Sequence, residues 1–268
     1  PRAPPGARML RRRVATSTAL AIRSGTVHFR GMRRRDLLIR LGLVGAAAGG
    51  AWWFRDYVLW REPEIVLPGA GDTGWLPYAE PRATTPTVAA TVNGTPVRAL
   101  IDSGAQYSVI DRALFQTLGL TDVFRLPMVA YGVGGDAQVG RGVTLDVAVG
   151  GLRLEGLRAA ILGLGPLAGP QGLAAPLILG QDVLRHLVLD LDAPERRLRF
   201  SARDGWTPPA EVRPIAVTRN GRALQAAITV EGAEVQAVVD TGASAVLAVT
   251  RETARAAGLL DGRDSRPG

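Results

Sequence analysis

Two aspartates in this chain sit in the same short setting. Asp102 follows the apolar run Ala99-Leu100-Ile101 and precedes Ser103-Gly104-Ala105, and Asp240 follows Val238-Val239 and precedes Thr241-Gly242-Ala243. Two carboxylates brought within a few ångströms cannot both ionise cheaply, so the pair holds one proton and titrates as a unit. A water between a charged and a neutral carboxyl can give its proton to the first while the second hydrogen-bonds a carbonyl oxygen. Such chemistry attacks an acyl carbon with no covalent intermediate on the protein. The Ser or Thr after each Asp carries a hydroxyl able to fix a neighbouring strand, and the glycine lets backbone come close to a carboxylate.

A single Asp-Ser/Thr-Gly tripeptide arises by accident in about one chain of this length in ten, so the repetition carries the weight. The segments VAATVNGTPVRALIDSGA and AAITVEGAEVQAVVDTGA keep step without a gap at an offset of 138 residues, which marks an internal repeat. Each must be a hairpin whose second strand delivers the carboxylate into a tight turn. Asn93-Gly94 is a strong two-residue hairpin signal, because both central positions of a type I′ turn take positive φ.

Both segments resemble the active-site strand of the aspartic peptidases, and the first resembles the retroviral-type branch of the pepsin-related fold. In that family the turn is followed some way on by an apolar Ile-Leu-Gly segment and a short helix, and LILGQDVLRHL occupies 177 to 187 here. The resemblance covers about 86 to 200, and again 215 to 260 as the front half of a second copy. It implies an all-β architecture: a pepsin/retropepsin-like closed β-barrel lobe with a flap hairpin and short helices, plus an incomplete second copy. It also implies catalytic roles for Asp102 and Asp240, with Ser103, Gly104, Thr241 and Gly242 forming the active-site turns and the two hydroxyls interlocking across the lobes. A glycine-rich flap is expected at about 131 to 138, with Tyr131, Gly132, Gly134 and Gly135. Those glycines are no phosphate loop, since a strand rather than a helix follows them.

The second copy shows no further flap and no second Ile-Leu-Gly segment. Its apolar strands therefore need cover from the first lobe or from another chain. Two pairings stay open: Asp102 with Asp240 in one chain, or Asp102 with Asp102 of a second molecule in a homodimer.

The 268 residues, 47% of them hydrophobic, are enough for a real core. Net charge is +8, but residues 1–61 hold thirteen Arg against two Asp, and the remainder is about −3. The basic balance thus describes the N-terminal region and gives no argument for nucleic-acid binding by the folded part. With no Cys, thiol catalysis, disulfides and cysteine-ligated zinc are excluded. Residues 32–54, with Arg34-Arg35-Asp36-Leu37-Leu38 ahead of an apolar stretch, resemble a twin-arginine export signal. The apolar stretch from Leu41 to Phe54 would be about 21 Å long as a helix, short against a hydrocarbon core of about 30 Å. Trp52, Trp53 and Tyr57 also suit an uncleaved interfacial anchor. The protein is therefore expected to be exported, either periplasmic or held to the inner membrane by this segment.

Other polar residues give weaker signals. Asp182 is expected to cap the helix that follows LILG. Asp190 and Asp192 lie two apart and are read as a solvated strand edge rather than a cation site. Of the two histidines, His28 precedes the fold and His186 follows LILGQD, too few for a Ser-His-Asp triad or a histidine-ligated metal. No cofactor is called for. The organisation expected is a basic N-terminal region 1–61, a linker 62–85, a peptidase lobe 86–203 and a partial second lobe 211–268. The function expected is hydrolysis of peptide bonds in a peptide or protein substrate. The alternative, from a different class, is a non-catalytic envelope module that binds peptide or dimerises on the same fold.

Overall fold

The computed structural model describes residues 60–131, 137–260 and 262. The described segments fall in one compact unit of Cα packing, and the signal-like stretch 32–54 lies outside them.

Two short strands come first, β1 (Glu64–Val66) and β2 (Leu76–Pro77). The hairpin of β3 (Thr87–Val92) and β4 (Thr95–Ile101) follows, turning at Asn93 (φ 47°) and Gly94 (φ 81°) as the Asn-Gly pair requires. After Asp102 come β5 (Val109–Asp111) and α1 (Arg112–Thr117), whose first turn is capped by Asp111 accepting from the Ala113 amide. Long strands β6 (Val123–Tyr131), β7 (Ala137–Val149) and β8 (Leu152–Leu162) lead to β9 (Leu177–Leu179) and α2 (Gln181–Leu184). The strand order β8-β5-β9-β4-β3-β7, closed by pairing of β7 with β8, makes a six-stranded barrel. Strand β6 extends it from β7, and β1 extends it from β8.

Strand β9 lies between β4 and β5, parallel to the first and antiparallel to the second. This arrangement explains why ALI and LIL are unbroken apolar runs. Ala99, Ile101, Ile110, Leu177 and Leu179 point into the main core, while Leu100, Val109 and Ile178 point into a second core with Trp60, Leu162 and Leu164. Both faces are buried, so alternation disappears.

The stretch 62–85, expected as a linker, is instead built onto the barrel. Strand β1 pairs with β8, and β2 joins β10 (Leu187–Asp192) and β11 (Arg197–Ala202) in a three-stranded sheet. Trp60, assigned from sequence to the basic N-terminal region, is 3% exposed in the second core. Proline and glycine content marks irregular backbone, but irregular backbone can still pack and pair.

The second hairpin belongs to another three-stranded sheet of β12 (Thr218–Asn220), β13 (Ala223–Val230) and β14 (Ala233–Val238), followed by α3 (Arg251–Ala256). Its turn, Glu231 (φ 48°) and Gly232 (φ 84°), reproduces that of the first. The two copies then diverge. Val109–Asp111 is a strand because β8 and β9 flank it, whereas Leu247–Val249, the matching positions, carry no ladder and Val246 is fully exposed. Ile215, Val217 and Val238 are exposed as well.

Gly180 shows how tightly β9 and α2 fit under the first turn. A Cβ there would lie 2.8 Å from the Ala105 carbonyl oxygen and from Tyr107 backbone, which cannot swing away as a side-chain tip can. Gly180→Ala is expected to lower stability by about 1–3 kcal/mol, to be read from urea denaturation. A neutral result would mean that the turn is looser than drawn here.

Candidate active site

Strand β4 ends at Asp102 because the chain must leave the sheet for the Ser103-Gly104 turn, and the Asp102 amide still donates to the Leu179 carbonyl at 3.0 Å. Its Oδ1 accepts from the amides of Gly104 (2.8 Å) and Ala105 (3.1 Å), which fixes the carboxyl inside its own turn. Asp240 is held in the same way, its Oδ1 accepting from the Gly242 amide at 2.8 Å.

Four reciprocal bonds join the two turns. The Ser103 amide donates to Thr241 Oγ1 (3.0 Å), and the Thr241 amide donates to Ser103 Oγ (3.0 Å). Each hydroxyl then donates onward across the divide, Ser103 Oγ to the Val239 carbonyl and Thr241 Oγ1 to the Ile101 carbonyl, both at 2.7 Å. Each hydroxyl thus accepts once and donates once, and both turns are locked in register.

The lock brings Asp102 and Asp240 together, and a hydrogen bond links their side chains. The glycines make the approach possible. A Cβ on Gly104 would lie 2.6 Å from Asp240 Cγ, and one on Gly242 would lie 2.6 Å from Asp102 Cγ. Burial first, then the charge of Asp240 and the hydrogen bond with it, push the Asp102 carboxyl up to about 6 against an ordinary 3.8. The Gly104 and Ala105 amides pull in the opposite direction.

Beneath the first turn, α2 acts as a brace. Gln181 Nε2 donates to the Ser103 carbonyl (3.0 Å), and the Gln181 amide donates to the Ala105 carbonyl (2.9 Å). Asp182, expected from sequence to cap its helix, does not do so. The cap position belongs to Gly180, with no side-chain cap bond. Instead its carboxyl is 1% exposed and accepts from Ser108 Oγ (2.8 Å), the Ser108 amide (3.0 Å) and Trp60 Nε1 (3.2 Å). Burial raises its pKa, and those three donors oppose the rise. Gln181, Ser108 and Trp60 had no assigned role in the sequence. Gln181 follows the Ile-Leu-Gly segment directly, the one local signal that pointed toward it.

The remaining sequence candidates fall as follows. Tyr131 closes β6 opposite Ala137, at the base of the hairpin expected to be a flap. Gly132, Gly134 and Gly135 lie outside the described residues. Asp190 and Asp192 pair across the β10–β11 ladder with Arg199 and Arg197, each at 2.8 Å, and those two guanidinium groups cover Trp75. No group of three or more His, Cys, Asp or Glu able to hold a metal occurs among the described residues. Among the same residues no helix is long and apolar enough to cross a membrane.

A closed barrel with a carboxylate at a glycine turn, that turn backed by a buried strand and a short helix, defines a retropepsin-like fold. Residues 88–183 match the family model described as aspartyl protease. Solved structures similar to this chain include the following three. A retropepsin-like aspartic protease from Rickettsia conorii is 19% identical, with 52% of this chain and 92% of that one covered and a TM-score of 0.32. The EIAV protease in complex with the inhibitor HBY-793 is 24% identical, with 38% and 86% covered and a TM-score of 0.30. The retroviral protease-like domain of Ddi1 from Leishmania major is 21% identical, with 47% and 100% covered and a TM-score of 0.29. No curated protein matches the chain.

A raised carboxyl pKa has a definite sign in stability. The folded state holds the proton more tightly than the unfolded chain, so the contribution is fully present below about pH 4 and is lost as pH rises through about 6. Asp102→Asn removes that dependence. Its stability relative to the parent is expected to improve from pH 4 to pH 7 by up to about 3 kcal/mol, as measured by urea denaturation at both values. A pH-independent difference would show that the two carboxyls do not meet.

Proposed function

We propose that the chain is an aspartic endopeptidase hydrolysing peptide bonds in a peptide or protein substrate, with Asp102 and Asp240 as the paired catalytic acids. The observation that carries this reading is the reciprocal Ser103–Thr241 lock, which sets two carboxyls in contact around one shared proton. A binding groove gains nothing from two groups that repel each other. A general acid–base pair does, because one member must be charged and the other neutral at the same pH.

The chemistry follows from that asymmetry. The charged carboxylate takes a proton from a water as its oxygen attacks the peptide carbonyl carbon, while the protonated carboxyl donates to the carbonyl oxygen. The tetrahedral adduct then collapses: the C–N bond breaks as the amine nitrogen takes the proton that the first carboxyl received from water, one hydroxyl of the adduct returns its proton to the second carboxylate, and a carboxylic acid and an amine leave with the pair again holding one proton. The resembled peptidases are the standard instance of such a dyad. With the pair holding its proton up to about pH 6, activity is expected to fall as pH rises beyond that value.

Incubating residues 1–268 with a peptide library between pH 4 and 8 is the direct test. The whole chain is used because a cut at residue 62 would remove buried Trp60. Asp102→Asn and Asp240→Asn are each expected to lower turnover by about 10²–10⁴. Loss with Asp102→Asn alone would instead indicate a site built from two first lobes in a homodimer. No cleavage by the parent at any pH would favour the second reading, a non-catalytic peptide-binding or dimerising module. That reading draws support from the exposed apolar side chains Ile215, Val217, Val238 and Val246.

The same proposal places the enzyme outside the cytoplasm, supported by the Arg34-Arg35 pair ahead of the apolar stretch. Replacing both with Lys is expected to leave the protein in the cytoplasmic fraction. Unchanged fractionation would remove the export reading and leave the peptidase reading standing.

A further inference from the structure

A basic corner lies where the barrel meets the second hairpin. Arg185 and His186 at the end of α2, Arg203 just past β11, and Arg219, Gly221 and Arg222 of the β12–β13 turn line a hollow of about 430 Å³. Among the described residues, Glu62 and the buried Asp182, which feels the charge of Arg222, face these cations. Glu62 pairs with Arg185 and lies 3.3 Å from His186. Arg203 Nη1 is anchored on the Arg185 backbone carbonyl (2.8 Å), which fixes the Arg203 guanidinium at the end of α2.

Arg222 supplies a second, independent observation. Its guanidinium carbon sits 4.5 Å from the centre of the Tyr107 ring, which fixes the head group. Its Nη1 is shut away from solvent with no hydrogen-bond acceptor. A shielded N–H of a charged group without an acceptor is unfavourable, and a small shift of the guanidinium toward an anionic oxygen in the hollow would relieve it. The field at the corner is felt by His186, whose pKa is lowered by burial first and then by Arg185, Arg203 and Arg222.

We propose that this corner is a binding site for a phosphate monoester. Guanidinium forks match the oxygens of a tetrahedral oxyanion, and four of them set against Glu62 and Asp182 leave an excess that a dianion balances better than a single carboxylate does. The hollow falls within the range of about 300–1,000 Å³ typical of small-molecule sites, so there is room for the organic part of the ester as well as its phosphate. The bound group would join the barrel, through Arg185 and Arg203, to the hairpin that leads toward Asp240, through Arg219 and Arg222.

Isothermal titration of residues 1–268 with phenyl phosphate, inorganic phosphate and benzoate tests the site. Saturable one-to-one binding is expected for both phosphates. Benzoate should bind at least tenfold more weakly. Arg222→Gln and Arg203→Gln are each expected to weaken the phosphates at least tenfold. Arg203 is exposed, so its variant keeps the test valid where Arg222→Gln, which also loses its Tyr107 contact, fails to fold. Three results would overturn the proposal: no saturable binding, equal affinity for benzoate, or affinity unchanged in the Arg203 variant. The last would trace binding to the Arg-rich residues 1–61. Peptide cleavage is not the readout, so failure here leaves the peptidase reading untouched.

Discussion

Two like charges do not stay in contact unless something stronger holds their backbones in place. Here that is the reciprocal pairing of Ser103 and Thr241, in which each hydroxyl accepts the opposite amide and donates to a carbonyl beyond it. The four bonds are short, mutually oriented and partly shielded, so each polarises the next. The repulsion they contain is relieved by a single proton, which is why the Asp102 carboxyl keeps it up to about pH 6. Remove the hydroxyls and the carboxyls could drift apart to ionise separately. The site would then lose its acid and its base together.

A lock of this kind transmits position only if each turn is itself rigid. On the barrel side the rigidity is built in depth: β9 runs under the turn, Gly180 lets α2 approach, and Gln181 holds the Ser103 carbonyl. Buried Asp182 ties Ser108 and Trp60 into the same support, so a residue far back in the chain at position 60 steadies the turn that carries Asp102. On the hairpin side the support is thinner. Among the described residues strand β14 pairs with β13 alone, and its residues alternate between partly buried and exposed. The Asp240 turn therefore depends on the lock more than the Asp102 turn does. The basic corner lies on the same side, where a bound dianion would add a second tie between hairpin and barrel.

Much of this was legible in local pattern. Asn93-Gly94 announced the first hairpin because both residues accept positive φ, the in-step repeat announced the second, and the doubled Asp-Ser/Thr-Gly announced a pair of carboxylate turns. The segment LILG was legible as a buried strand because both its faces lack polar residues. What local pattern missed has one physical cause. Proline- and glycine-rich backbone at 62–85 looked like a linker because no period is visible there, yet its pairing partners lie about ninety residues or more away on β8 and β11. Asp182 looked like a cap because its neighbours in sequence are a helix, while its donors come from Ser108 and Trp60.

Residue types and spacing by themselves determined the chemistry available: two acids in matching turns, hydroxyls beside them, glycines that permit close approach, and too few histidines or cysteines for a rival mechanism. Each of these is a short-range property, set by side-chain pKa, φ preference and the alternation of strands. Only the tertiary structure decided that Asp102 meets Asp240 within one chain, that Ser103 and Thr241 exchange bonds across 138 residues, and that Arg185, Arg203 and Arg222 converge on one hollow. Those are contacts between elements distant in sequence, fixed by strand order and packing, and a linear pattern holds no record of which distant partner a side chain will find.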